Sequence, residues 1–150
     1  MKFNKTYEGE SFEKYAEYLQ SIKNRIPEKL FRFVSNPERH DLGEKSLHDT
    51  RIKKIEYEFI SKDNYEMTLL LLGEHREFKL RFANVSQWRI NQVNFGDLYK
   101  DLITYEVGIE KDFSENDKMV FRAQFPLENG IIEVFSENIE IKESFIQRSR

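Results

Sequence analysis

The pentapeptide Leu47-His48-Asp49-Thr50-Arg51 separates two kinds of hydrophobic pattern in this chain. Before it, apolar residues recur at three- to four-residue intervals, as they do on one face of an amphipathic helix. After it, apolar and polar residues alternate almost to the C-terminus, which is typical of half-buried strands. The pentapeptide therefore marks the change from a helical arm to a body of strands.

Two helices are predicted before the pentapeptide. Ser11 is a good N-cap for the apolar stripe that follows it. Pro27 disfavours helical geometry at the residue before it, so the first helix should end near Arg25 and Pro27 should open a second, short helix. That helix should end at Asn36-Pro37, and residues 36–46 should form a polar surface connection.

About seven strands are predicted after the pentapeptide, most of them joined by hairpins. Asn129-Gly130 is the strongest turn signal, because both residues tolerate positive φ. The pattern predicts an α+β fold in which two N-terminal helices precede a mostly antiparallel, curved sheet, as a sandwich or an open barrel. We expect one domain over residues 1–150, with a helical arm at 1–35, a β body at 47–142 and a tail at 143–150.

Composition excludes several classes of protein. The 150 residues include 13 Phe, 7 Tyr and one Trp but no Cys, which rules out disulfides, thiolate metal sites and thiol nucleophiles. The net charge is −3 and no basic stripe is visible, so nucleic acid is not an expected partner. No signal peptide and no apolar run of about 20 residues is visible, so we expect a cytoplasmic protein with no membrane partner.

Catalytic constellations are not visible in the sequence. Besides His48, the chain has only His40, in the polar connection, and His75, at a predicted hairpin tip. A metal site needs about three converging ligands, and neighbouring strand residues point to opposite faces. No glycine-rich phosphate loop and no nucleophile elbow is visible either. We therefore predict no catalytic residue, no metal site and no cofactor, although an enzyme with dispersed carboxylates remains a third alternative.

The pentapeptide itself allows two interpretations. In the structural one, Leu47 anchors the chain in the core, and the half-buried ring of His48 donates to a backbone carbonyl. Asp49 and Arg51, two residues apart, then fix the turn into the first strand. In the functional one, His48 and Arg51 belong to a polar pocket at the mouth of the barrel. His48, Asp49 and Arg51 are therefore candidate binding residues.

Trp88 and Arg89 form the second candidate binding pair. Tryptophan and arginine are enriched among the residues that dominate binding energies. The alternative is that Trp88 is a core ring whose N–H finds a carbonyl.

One segment is strongly acidic. Between Asp101 and Asp117 six acidic residues accompany only Lys111. The segment predicts either a solvated strand pair with its turn or a docking edge for a basic partner.

Leu47-His48-Asp49-Thr50-Arg51-Ile52 resembles the motif that opens the strand body in a loose group of uncharacterised bacterial proteins, mainly from Bacillus-like Gram-positives. Phe82-Ala83-Asn84-Val85 is similar to a later step in the same group, and the helix from Tyr15 to Pro27 is similar to the N-terminal arm of one such family. Some related families lie beside polymorphic-toxin genes and are presumed to be immunity proteins. The resemblance implies a fold class and a bacterial cytosolic setting, and it transfers no catalytic residue.

The sequence therefore favours a non-catalytic binding protein whose partner is another protein, with an immunity-type role as one form of it. The alternative is a small-ligand-binding barrel closed by the first helix and the irregular stretch from Val85 to Leu98. That alternative requires an internal pocket lined by convergent polar groups. A structural role for the pentapeptide predicts that Asp49→Ala lowers stability.

Overall fold

A computed structural model describes residues 12–41, 43–91, 102, 104–112, 118–127 and 130–146. Its helices are α1 (Phe12–Ser21) and α2 (Glu28–Val34). Its strands are β1 (Arg51–Ser61), β2 (Asn64–Leu72), β3 (Arg76–Asn91), β4 (Glu106–Asp112), β5 (Lys118–Leu127) and β6 (Gly130–Phe145). Helices therefore precede strands, as the change of pattern at the pentapeptide predicts.

The helical arm follows the apolar stripe, with one difference at its first boundary. Tyr15 and Leu19 of α1 are buried, as are Leu30 and Val34 of α2. The first helix ends at Ser21 rather than near Arg25, and a separate 3₁₀ turn follows at Lys23–Arg25. Ser11, the predicted N-cap, lies outside the described residues. Pro27 stands directly before α2 and supplies no capping side chain.

The strands form one antiparallel sheet in the order β1-β2-β3-β6-β5-β4 within the described ranges. The α+β prediction is confirmed, but the count is six strands instead of about seven. Two long strands each combine stretches that the sequence separates: β3 continues past Asn84, and β6 continues from Gly130 to Phe145. Since the described strands make one unclosed sheet, the sandwich form is wrong.

A bend in β3 explains why its second half looks irregular in the sequence. Asn84 has a positive φ of 51°, and the pairing of β3 with β6 shifts register between Val85 and Gln87. The side chain of Asn84 donates a 2.9 Å hydrogen bond to Glu137 of β6. The strand therefore bends without ending, because a bulge absorbs the extra residue.

The core lies on the sheet face that carries the helices. Its fully buried side chains come from all parts of the fold and include large rings and branched aliphatics: Tyr15, Leu19, Leu47, Met67, Leu69, Phe78, Phe82, Tyr105 and Phe125. Phe82 of β3 and Phe125 of β5 meet edge to face at 6.1 Å, so rings from non-adjacent strands fill the concave interior.

The C-terminal end of the sheet extends beyond the predicted β body. β6 pairs with β3 as far as Phe145, opposite Arg76, so residues 143–145 belong to a strand. The backbone N–H of Ile146 donates to the carbonyl of His75. Glu143 also receives hydrogen bonds from Arg39 and Arg76, which connects this strand end to the polar connection after α2.

One edge of the sheet, strand β4, is covered by α1. The hydroxyl of Tyr15 donates to the carbonyl of Val107 at 2.8 Å and accepts from its N–H at 2.7 Å. The hydroxyl of Tyr18 accepts from the N–H of Ile109 at 3.0 Å. Residues three apart on a helix share a face, so the two hydroxyls reach alternate residues of the strand. The outward backbone groups of Val107 and Ile109 are thereby satisfied.

Candidate binding surface

The pentapeptide forms a turn that joins distant parts of the chain. Leu47 is fully buried, which confirms that it anchors the chain. The Thr50 hydroxyl donates to the Leu47 carbonyl at 2.7 Å. The N–H of Asp49 donates to the carbonyl of Leu102, and the N–H of Leu102 donates to the carbonyl of Thr50. Asp49 has a positive φ of 63°, which an aspartate tolerates better than most residues.

The polar side chains of the turn are arranged differently from the prediction. Nδ1 of His48 lies 3.0 Å from the carboxylate of Asp49, where we expected a backbone carbonyl. Asp49 and Arg51 line an open groove of about 450 Å³ together with Gly73, and His48 is not among its lining residues. The pocket that would combine His48 with Arg51 therefore does not form in the described part of the chain.

Four aromatic side chains on the core-facing side of the sheet extend beyond the helices. Tyr57 stacks on Tyr65 with ring centroids 5.4 Å apart, and Trp88 contacts Tyr57 at 5.4 Å. Phe59 contacts Tyr65 at 5.5 Å. We call Tyr57, Phe59, Tyr65 and Trp88 the aromatic patch. Phe59 is 62% exposed, Tyr57 43% and Trp88 40%, so these rings contact one another and also remain open to solvent.

Trp88 is thus not the core ring of the alternative interpretation. It lies after the bend in β3, where its ring reaches across β2 to Tyr57 of β1. Arg89 points to the other face, where its Nε lies 3.1 Å from Glu133. The structure therefore separates the predicted pair, with Trp88 in the aromatic patch and Arg89 in a polar network.

That polar network is centred on Glu133 of β6. One of its carboxylate oxygens accepts from Nε of Arg122 and from Nε2 of Gln124, both at 2.8 Å. Arg122 also donates to Glu110 at 2.7 Å. Burial by itself would raise the pKa of Glu133, but the hydrogen bonds from Arg122 and Gln124 and the nearby positive charges hold it below its ordinary value. Glu133 and Glu110 thus share Arg122, and Arg89 brings a second guanidinium group to Glu133.

The acidic segment contributes to the interior of the protein. Glu106 is buried and Glu110 binds Arg122, so neither is the solvated side chain that alternation predicts. Asp101, Glu115 and Asp117 lie outside the described residues, as does the side chain of Asp112. Strand register explains the difference, because Glu106, Gln124, Glu133 and Arg89 form one row across four strands. No single strand of the sequence shows that row.

His40 is the histidine that sequence reasoning missed. Its ring stacks on Tyr105 with centroids 4.3 Å apart, and Nε2 lies 2.7 Å from the carbonyl of Val34. Burial lowers the pKa of His40 from 6.5 to about 4, against smaller opposite effects of the Val34 carbonyl and Asp41. The apolar residues on either side of the polar connection gave no signal for this packing.

Neither a metal site nor a membrane helix is found in the part of the chain that the structure describes. No group of three or more ligating side chains there could hold a metal ion. No described helix has the length and apolar character needed to cross a membrane. No protein-family model matches the chain, and a comparison with curated proteins finds no match.

Proposed function

We propose that this chain is a non-catalytic protein-binding protein and that the aromatic patch is its contact surface. The observation that carries the proposal is the contiguity of the four exposed rings. Single exposed apolar residues are ordinary, but contiguous apolar patches on soluble proteins mark interaction sites. Aromatic rings bury a large area with few rotatable bonds, which is why they are enriched in the centres of protein interfaces.

The arrangement of the sheet supports this assignment. Met67 and Phe82, which lie next to the patch across the strands, are fully buried under the rest of the fold. The patch is the continuation of the same apolar face towards the hairpin between β1 and β2, at Ser61 and Asn64. A partner placed there would extend the existing core instead of creating a separate one.

The partner class rests on the resemblance described for the Leu47–Ile52 motif. It suggests a bacterial, cytoplasmic protein of the immunity type, whose partner would be a toxin. An aromatic contact surface suits that role, because inhibitors of enzymes bind through a few buried anchors.

The two alternatives have less support. A small-ligand barrel needs an internal pocket, whereas Phe82 and Phe125 meet inside the concave face. Dispersed carboxylate catalysis needs acids that can exchange protons, whereas Glu133 and Glu110 are held by Arg122. Among the described residues, these rings and carboxylates therefore support neither alternative.

Affinity capture with matched serine variants tests the proposal. The bait is the full chain, and the host lysate is passed over wild-type protein, Phe59→Ser and the control Phe145→Ser. Phe59 lies in the patch, while Phe145 is equally apolar and 71% exposed at the opposite end of the sheet. We expect wild type and Phe145→Ser to retain the same protein and Phe59→Ser to bind it about tenfold or more weakly.

Trp88 then reports whether the captured protein contacts the patch. It is the only tryptophan of the chain. In a complex with a partner that lacks tryptophan, the tryptophan fluorescence therefore reports on this surface alone. Burial of the indole should shift its emission to shorter wavelength. Equal retention by Phe59→Ser and wild type would contradict the proposal, as would an unchanged Trp88 environment in the complex.

A further inference from the structure

We propose that two copies of this chain pair through their β1 strands, antiparallel about a two-fold axis, so that Lys54 of each copy lies opposite Glu58 of the other. The pairing would join two sheets into one continuous sheet. It stands on the edge of β1 and its charges, and does not depend on the proposed binding of another protein.

The outer edge of β1 is available for pairing with another strand. Among the described residues β1 pairs with β2 alone, so one side of its backbone has no strand beside it. The other edge strand, β4, has its outward groups bound by the hydroxyls of Tyr15 and Tyr18. Unpaired edges are templates for further pairing, and long apolar ones are the most prone to it. β1 is a long edge with Tyr57, Phe59 and Ile60 exposed, and because Lys54, Glu56 and Glu58 lie along it as well, a second strand must match those charges.

The regular part of β1 limits the register in which two copies can pair. The pairing of β1 with β2 shifts between Ile52 and Lys54 and again between Phe59 and Ser61, which leaves residues 54–59 as the regular stretch. A two-fold axis perpendicular to the sheet keeps each face on its own side, because it pairs residues whose side chains share a face. The axis must therefore pass at one residue of the strand.

Charge and the regularity of the strand together select that residue. An axis at Tyr57 would place Glu56 opposite Glu58 twice, and like charges directly opposite each other destabilise a pair of strands. An axis at Ile55 would set Lys54 opposite Glu56 on both sides, but it would also bring Tyr57 against Lys53, where the pairing of β1 with β2 is irregular. An axis at Glu56 uses the regular stretch from 54 to 58, and it sets Lys54 opposite Glu58 on both sides at the expense of one contact between the two Glu56 residues.

Glu58 would gain a closer cation from this pairing, because Arg81 acts on it only from beyond ion-pair distance. Its partner across β2 is Glu66, which is itself bound by Arg81 at 2.7 Å. Among the described residues no Lys, Arg or His lies within ion-pair distance of Glu58. Lys54 is exposed and 3.5 Å from Glu56. In the dimer it would lie between Glu56 of its own strand and Glu58 of the second copy.

The apolar face gains from the same register. Ile55 of each copy would lie opposite Tyr57 of the other, and the two aromatic patches would adjoin across the axis. Two strand edges bury less than the about 800 Å² per partner of a standard interface, so we expect a reversible dimer with a dissociation constant of about 10–100 µM.

Charge exchange between two variants tests the pairing. Sedimentation equilibrium is measured over a concentration series for wild type, K54E, E58K and an equimolar mixture of the two variants. Each variant alone would set like charges opposite each other twice, and we expect its association to weaken about tenfold or more. The mixture restores both opposite-charge pairs, so we expect it to associate as wild type does. Lys142→Glu, an exposed charge inversion on β6, is the matched control and should leave the association unchanged.

Three results would overturn the inference. One is a wild-type protein that stays monomeric at about 1 mM, well above the expected dissociation constant. Another is unchanged association of K54E and E58K when each is alone. The third is failure of the mixture to associate while circular dichroism shows that both variants are folded. Since all substituted side chains are exposed, folding of the variants is expected.

Discussion

The two edges of the sheet are treated in opposite ways. Along β4, hydroxyls from α1 occupy the outward polar groups of Val107 and Ile109. Along β1, the described residues place no element beside the strand, and its large side chains are exposed. A covered edge strand cannot pair with another chain, whereas an uncovered one presents a row of backbone donors and acceptors to other chains. The contrast supports the proposals that place contact with other molecules on the β1 side.

The covering of β4 depends on a buried side chain, Tyr15, that also belongs to the core. Tyr15 is fully buried, and burial raises its pKa well above the ordinary value, so the hydroxyl keeps its proton and can donate. One oxygen atom satisfies both an N–H and a carbonyl of Val107. The same residue therefore contributes a core ring and a substitute for a missing strand.

Removal of that oxygen should have the largest effect. Tyr15→Phe leaves a buried N–H and a buried carbonyl of Val107 without a partner, and we expect a loss of about 3 kcal/mol in the free energy of unfolding. Tyr18→Phe should cost less, because its bonds to Ile109 are longer and partly exposed. Tyr57→Phe, on the open edge, should change stability by less than about 0.5 kcal/mol. Urea denaturation of the three variants measures the series.

A different order would break the comparison of edges. If Tyr15→Phe and Tyr57→Phe had the same stability, the hydroxyl of Tyr15 would not be acting as the substitute strand. An unchanged slope of the urea transition would show that the variants unfold to the same extent as wild type, so that the midpoints can be compared.

The second largest effect should be a loss of folding stability in acid, caused by His40 beneath α1. The unfolded chain binds a proton at His40 near pH 6.5, while the folded protein resists it until about pH 4. Above pH 6.5 the neutral His40 therefore makes its full contribution to the free energy of unfolding. This contribution falls by about 3 kcal/mol as the pH drops from 6.5 to about 4. Glu133, Glu137 and Glu143, whose pKa values are lowered, lose their contribution only at lower pH.

Stability curves between pH 7 and 4 test this assignment. His40→Gln cannot take up a proton, so its free energy of unfolding should change much less over that range than that of wild type. Because His40 packs against Tyr15 and Tyr105, amides of α1 should lose protection from hydrogen exchange before those of β1 and β2. Parallel pH dependence of wild type and His40→Gln would exclude His40 as the cause.

The turn between the two edges should show the smallest effect. Asp49 has a positive φ, which alanine tolerates poorly, so Asp49→Ala should cost about 1 kcal/mol. Asp49→Gly also removes the carboxylate but permits the backbone geometry, and it should remain within about 0.5 kcal/mol of wild type. Equal losses in thermal denaturation of both variants would mean that the contact with His48, and not the backbone, stabilises the turn.

Much of the fold was predictable from local pattern. Helical spacing before Leu47 and alternation after it suffice for two helices and an antiparallel sheet, since each reflects burial of one face. The strand count was wrong because Asn84 and the residues before Ile139 interrupt the alternation without ending a strand. A bulge continues hydrogen bonding where the pattern of side chains breaks, and one sequence does not distinguish it from a turn.

The candidate surface was predictable only in part. Trp88 was identified as a candidate, but its partners Tyr57 and Tyr65 look like ordinary core positions, because alternation does not say where the helices stop covering a face. Glu133 and Arg122 look like solvated residues for the same reason. Both sets depend on which strands are neighbours, and that order, with β3 beside β6, arises from long-range pairing.

Two hydrogen bonds, between Asp49 and Leu102 and between Leu102 and Thr50, cross-link the sheet at one end of its strands. They connect the residues just before β1 with a residue that precedes β4 in the chain, although β1 and β4 are the two edge strands and do not pair with each other. The opposite rim, where β1 turns into β2, has no such fastening among the described residues. The rim that carries Phe59 and Tyr65 thus lacks a cross-link of this kind among the described residues, and if the proposed partner binds there, it would meet the part of the sheet that is least constrained at its edge.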